Sequence, residues 1–174
     1  MLGISTGSQP VLSYNYGAKN IGHIKRAEKY ILSLCLAFTS LMTALSFLCA
    51  APFVSLFTST PEIAEKSVWG IRVFMIGAIP LSLPYAFVDG LTGLGFPQYA
   101  IIVSLTRKIV VYLGCTFLFP ALWGVQAAFY AEPAADIAGA ILAVIVFSIV
   151  FPRILRRRQN AGSLFDAPSS HDHT

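Results

Sequence analysis

The sequence predicts an all-α membrane protein with about four transmembrane helices, and three observations carry that expectation. Of 174 residues, 56% are hydrophobic and 11% charged, against roughly 25% charged in a soluble domain. The mean hydropathy is +0.70, more apolar surface than one core of this size can hide but natural in a bilayer. Finally, the apolar residues fall into long runs separated by short loops bearing charge, proline or glycine, each run near the ~20 residues that a span needs.

Residues 1–20 are rich in Gly, Ser, Tyr and Asn and precede a basic flank of Lys19, Lys25, Arg26 and Lys29. The first span is read over 30–57, an unbroken apolar run. Ser59, Thr60, Pro61 and Glu62 then give a helix-start pattern: a capping hydroxyl, proline in the first turn, and an acid at the positive dipole end. The second span is read over 68–94, with a kink expected from Pro80 and Pro84. After the Phe96-Pro97-Gln98 turn, a third span is read over 101–118 and a fourth over 125–151, with Pro133 inside the fourth. Arg153, Arg156, Arg157 and Arg158 stop it, and 156–174 reads as a basic and polar disordered tail.

Lys19, Lys25, Arg26, Lys29, Arg107, Lys108, Arg153, Arg156, Arg157 and Arg158 fall on one side of these spans. Only Lys66 and Arg72 fall on the other, beside Glu62 and Glu65. The positive-inside rule makes the richer side, and with it the C-terminus, cytoplasmic. Trp69 and Trp123 fall at the opposite, outer interface, as an aromatic belt requires. The net charge of +4 therefore reads as membrane topology, and no nucleic-acid partner is expected. Lipids are the expected surroundings. No cleavable signal peptide is read at the start.

Cys35, Cys49 and Cys115 lie in apolar runs without metal-ligand spacing and read as small hydrophobes. His23 lies in a basic loop, and His171 and His173 lie in the tail. No nucleophile, metal or phosphate-binding motif is present, so neither an enzyme nor a cofactor is expected. The informative residues are charges inside spans, each costly in lipid and usually turned to a bundle interior. They are Arg72, Asp89, Arg107, Lys108, Glu132 and Asp136. At 1.5 Å per residue, Asp89 and Arg107 (about 10 Å up its helix) both sit in the inner part of the membrane and are expected to pair. Glu132 and Asp136 are four apart on one helix face, an arrangement suited to proton binding. Asp136 is the candidate for proton or substrate handling, while Glu132, Arg72 and Lys108 are expected to snorkel toward an interface. Abundant aromatics offer walls for flat cations, and prolines within spans are common near transport paths and as plain kinks.

The segment Gly7-Ser8-Gln9-Pro10-Val11-Leu12-Ser13-Tyr14-Asn15-Tyr16-Gly17-Ala18-Lys19-Asn20 resembles the C-terminal-lobe signature of the multidrug and toxic compound extrusion (MATE) family. Leu56-Phe57 with Thr60-Pro61-Glu62-Ile63, Gly93-Leu94-Gly95, Ser104-Leu105-Thr106-Arg107, and Trp123 to Ala128 with Pro133 and Asp136 are similar to later family motifs. The resemblance covers about residues 3–155. It implies a twelve-helix fold in two lobes and a proton- or sodium-coupled antiporter, working by alternating access, that exports amphipathic, often cationic, drugs across the bacterial inner membrane. Residues 1–18 then correspond to the end of helix eight and the four spans to helices nine to twelve. The chain is expected to be a fragment, inactive without an N-terminal lobe. Gln9, Tyr14, Asn15 and Tyr16 become pathway candidates through the signature, beside Asp136, Glu132, Asp89 and Arg107. One branch of the family places a cation-binding carboxylate midway along helix ten. That position falls near Leu83 here, so the resemblance transfers no such role to Asp89. The alternatives are a non-transporting remnant or helper subunit, whose open helix faces seek partners, and a related lipid-linked oligosaccharide flippase.

Overall fold

A computed structural model of the protein describes residues 1–163. His171, His173 and the end of the polar tail lie outside the described residues. Among the described residues there are seven α-helices: α1 (Leu2–Gly17), α2 (Ile21–Ser55), α3 (Pro61–Ile76), α4 (Ala78–Gly93), α5 (Pro97–Leu105), α6 (Leu113–Trp123) and α7 (Ala131–Ser163). A π-helical stretch, Thr106–Tyr112, joins α5 to α6, and a 3-10 turn, Val125–Tyr130, leads into α7. Among the described residues, four helical stretches are long and apolar enough to cross a membrane: Ile21–Ser55, Pro61–Gly93, Pro97–Trp123 and Ala131–Gln159. The expected four spans are therefore present, preceded by the shorter α1.

Local chemistry explains how these stretches begin and turn. Pro61 and Pro97 stand in the first turns of α3 and α5, where their missing N–H removes no helical bond. The second span is broken at Gly77, between α3 and α4. Pro80 has no N–H for the carbonyl of Ile76, and its ring crowds that carbonyl, so the helix restarts with Leu81 N–H donating to Gly77 O at 3.1 Å. The kink expected from Pro80 and Pro84 thus falls before both. The α1–α2 reversal uses Lys19, the one non-glycine residue with positive φ among those described, at 57°. Asn20 N–H closes this turn on Asn15 O at 2.9 Å.

Two boundaries differ from the sequence reading. Residues 125–130 are a 3-10 turn, so α7 starts at Ala131 and Pro133 stands in its first turn without kinking it. The helix also runs on to Ser163, through residues 156–163 that composition assigns to a disordered tail. Ile154 and Leu155, between Arg153 and Arg156, are buried and seat this part of the helix on the bundle.

The α4 helix lies at the centre, packed against α1, α2 and α7. The core gathers Leu12, Ile24, Ile31, Cys35, Ala86, Leu94 and Leu155. Phe147 stacks between Phe87 and Phe151, with centroids 4.3 and 4.4 Å away. Large apolar side chains such as Leu48, Val110 and Phe117 point outward, the arrangement lipid favours. All three cysteines are free, and Cys35 is buried.

Candidate functional site

Of the charged side chains within the spans, Arg107, Lys108, Glu132 and Asp136 assemble where α7 meets the π-helical stretch, while Arg72 lies apart, beside Ala51 and Ser55 of α2. Arg107 and Lys108 open that stretch, and its wider turn presents both to α7. Arg107 Nη1 donates to Asp136 Oδ1. Lys108 Nζ donates to Glu132 Oε1 at 3.1 Å. One turn separates Glu132 from Asp136, so two adjacent cations meet two carboxylates on one helix face. The carboxylates do share a face as expected, but each has its own cation.

Two glycines make room for this. A Cβ on Gly77 would stand 2.8 Å from Pro133 Cα and 2.9 Å from Asp136 Oδ2. A Cβ on Gly139 would collide with the stem of Arg107. The break in the second span therefore lies against Pro133 and Asp136 of α7, beside the buried ion pair. Asp136 is 3% exposed, which gives this pair a dry environment where its geometry matters most.

The expected Asp89–Arg107 pair is not formed. Arg107 is turned to α7 by the π-helical stretch, which a regular helix count does not anticipate. Asp89 instead accepts a hydrogen bond from Ser5 Oγ of α1. Both residues still border a small cleft of about 150 Å3 shared with Tyr85, Ser104 and Lys108. Glu132 and Lys108 do not snorkel separately: they hold one another, with Lys108 half exposed and Glu132 largely covered.

The signature residues form a helix seam. A Cβ on Gly93 would come within 3.1 Å of Gln9 Cα, so α1 and α4 touch through backbone, and Ser13 Oγ donates to Gly93 O at 2.7 Å. Asn15 Nδ2 donates to Val11 O within α1. The Tyr16 ring meets Phe96 edge-on and lies under the Arg158 guanidinium, 5.2 Å from the ring centroid. Arg158 also donates to the carbonyls of Tyr16 and Gly17, tying α7 to the end of α1. Tyr14 faces outward, 77% exposed.

The sequence reading missed Glu28. Its basic neighbours Lys25, Arg26 and Lys29 place it in a loop by composition, yet it is a buried residue of α2. The available signal was periodicity: Ile24, Glu28, Ile31, Cys35 and Thr39 follow the spacing of one helix face, and all are buried.

At the opposite end of the bundle, an open groove of about 1020 Å3 runs along α3. Trp69, Phe74 and Phe129 wall it, with Glu62 and Glu65 on its border. Trp69 packs edge-on against both Phe129 and Tyr130. Among the described residues no group of three or more His, Cys, Asp or Glu could hold a metal ion.

Comparison with known proteins places this architecture. The family model MatE matches residues 1–118. The chain is 25% identical over 133 residues to a protein of Shewanella oneidensis named FAD transporter, covering 76% of this chain and 29% of that protein. It is 24% identical over 155 residues to the multidrug export protein MepA of Staphylococcus aureus, covering 88% and 34%. Among solved structures it is similar to the Vibrio cholerae MATE transporter VcmN in the bent form, at 23% identity and TM-score 0.73, covering 86% of this chain and 33% of that one. It is also similar to an outward-facing multidrug resistance MATE family transporter, at 17% identity and TM-score 0.81, covering 89% and 35%. The chain spans about a third of the length of these relatives.

Proposed function

The chain belongs to the MatE family, a family of transporters rather than enzymes, and from that premise we propose that it supplies C-terminal-lobe helices of a cation-coupled antiporter exporting amphipathic cations. It is a multi-pass membrane protein, with four helical stretches among the described residues long and apolar enough to span. In the proposed assembly an N-terminal lobe completes the path, the chain lies in the bacterial inner membrane with its arginine-rich C-terminal end in the cytoplasm, and either protons or sodium drive export.

One observation carries the mechanism: the buried Arg107–Asp136 pair sits against the Gly77 break in the second span. A helix broken beside a charge pair has two halves that can tilt separately, as rocking of one helix group against another requires. In this reading α3 moves relative to α4 about Gly77, and the ion pair holds α7 to the π-helical stretch as it does so. Asp136 handles protons when Arg107 releases it. The aromatic groove along α3 supports a flat cation as cargo, with Trp69, Phe74 and Phe129 offering ring faces and Glu62 and Glu65 opposite charge.

The relative named FAD transporter favours a second cargo class, a flat aromatic dinucleotide, and flavin export belongs in the same assay. That assay is ethidium and flavin efflux from an efflux-deficient bacterium. It compares the chain alone with the chain expressed beside a matching N-terminal lobe, membrane insertion being verified in each. Efflux only with the added lobe is the expected result. Efflux by the chain alone would overturn the two-lobe reading, and none in either format would favour a remnant or helper.

A further inference from the structure

On the far side of α4 from the Arg107–Asp136 pair lies the carboxyl of Glu28, on α2. Glu28 is 5% exposed, and neither of its side-chain oxygens has a hydrogen-bond partner. Both oxygens rest on Gly90: a Cβ there would stand 2.7 Å from each. Glycine at 90 is thus the condition for the carboxyl to enter the α2–α4 seam at all.

No cation is paired with this carboxyl: Arg107 and Lys108, which share the cleft at Asp89, are engaged by Asp136 and Glu132, and the Met1 amino group reaches only toward Cys35. From α4 the facing charged group is Asp89, whose Oδ2 is occupied by Ser5. From α1 come Ser5 and apolar residues such as Leu12. On α2 the neighbouring titratable group is the Cys35 thiol, on which the amino group of Met1 also bears. Lys25, Arg26 and Lys29 are exposed, turned away from the seam. From α7, Arg158 is engaged by the Tyr16 ring and by the carbonyls of Tyr16 and Gly17. Among the described residues, no Lys or Arg forms an ion pair with Glu28 or Asp89.

An ionised carboxylate with neither donor nor counter-ion is among the most expensive groups to bury, and it relieves the cost by taking up a neutralising ligand. The space selects that ligand. A metal cation needs several oxygens at coordination distance, whereas Glu28 offers two, pressed on the Gly90 backbone, and Asp89 is already bonded to Ser5. We propose that the Glu28 carboxyl, seated on Gly90 beside Asp89, is a proton-binding site of the α1–α2–α4 seam, loaded when the seam closes and unloaded when α2 and α4 part. The carboxylate gains one proton from water to form an O–H bond and returns it to water on opening. The site stands on the seam's geometry and does not depend on the cargo or on the two-lobe reading above.

The test is an infrared pH titration of the purified chain in lipid nanodiscs, reading the protonated-carboxyl band, with circular dichroism as the folding control. Glu28→Gln is expected to remove one protonated carboxyl at neutral pH. Asp89→Asn is expected to lower the midpoint of that band by about one pH unit, a tenfold change in proton affinity, because a like charge has gone. Sodium added at fixed pH is expected to leave the band unmoved. A spectrum identical in wild type and Glu28→Gln would overturn the proposal, and so would a band displaced by sodium, which would make this a metal-cation site. Should Glu28→Gln fail to fold, an unmoved midpoint in Asp89→Asn would overturn it equally.

Discussion

The two faces of α4 treat buried acid in opposite ways. Toward α7, Asp136 and Glu132 each receive a cation from the π-helical stretch. Toward α2 and α1, Glu28 receives nothing, and Asp89 receives only a serine hydroxyl of α1. The difference teaches that burial alone does not define a charged residue's role in such a bundle. A compensated pair is held by its geometry and resists change, because removing either partner strands the other. An uncompensated carboxyl is held by its proton, and so responds to pH and to the opening of the seam.

The largest effect is expected on the compensated face. Arg107→Met leaves Asp136 buried without its cation and should cost about 3–5 kcal/mol of stability. Adding Asp136→Leu should recover most of that loss, which a double-mutant cycle of unfolding in detergent would measure. No recovery would mean that the two residues are not coupled. Next come the glycines that let the helices approach. Gly77→Ala puts a methyl 2.8 Å from the Pro133 backbone and should cost about 1–3 kcal/mol by overpacking. Gly90→Ala meets only the Glu28 carboxyl, the end of a flexible side chain, and belongs at the lower end of that range. Its loss should shrink when Glu28 is truncated to Ala in the same chain. The smallest effect is expected for Lys108→Ala. Its pair with Glu132 is half exposed, and such pairs contribute about 0.2–1 kcal/mol.

Hydropathy made the spans legible because lipid imposes the same requirement on every outward face. Thus the runs 30–57, 68–94 and 101–118 overlap the helical stretches Ile21–Ser55, Pro61–Gly93 and Pro97–Trp123, whose polar first turns hydropathy leaves out, and Asp136 and Arg107 stand out as charges within apolar runs. What was not legible depended on backbone geometry that hydropathy does not encode. The break at Gly77 and the π-helical stretch at Thr106–Tyr112 leave no mark of their own in the hydropathy pattern, so Arg107 was matched to the wrong acid. Glu28 was hidden for another reason. Exposed Lys25, Arg26 and Lys29 surround it in sequence, and their charge masks the stripe of Ile24, Ile31 and Cys35 on which it lies. The signature from Gly7 to Asn20 was recognisable in sequence, but its physical work appeared only in three dimensions. It brings α1 onto Gly93 and carries the Tyr16 platform for Arg158.

The contrast between the two faces of α4 is tested most directly by comparing Asp136→Asn and Glu28→Gln for stability at neutral pH in one membrane mimetic. Each replaces a carboxyl by an amide of the same shape. Asp136→Asn removes the charge that answers Arg107 and should unfold earlier, by about 3 kcal/mol or more. Glu28→Gln replaces a carboxyl that answers no cation in the folded seam and should stay within about 1 kcal/mol of wild type. Equal losses in both, or a loss confined to Glu28→Gln, would contradict the account.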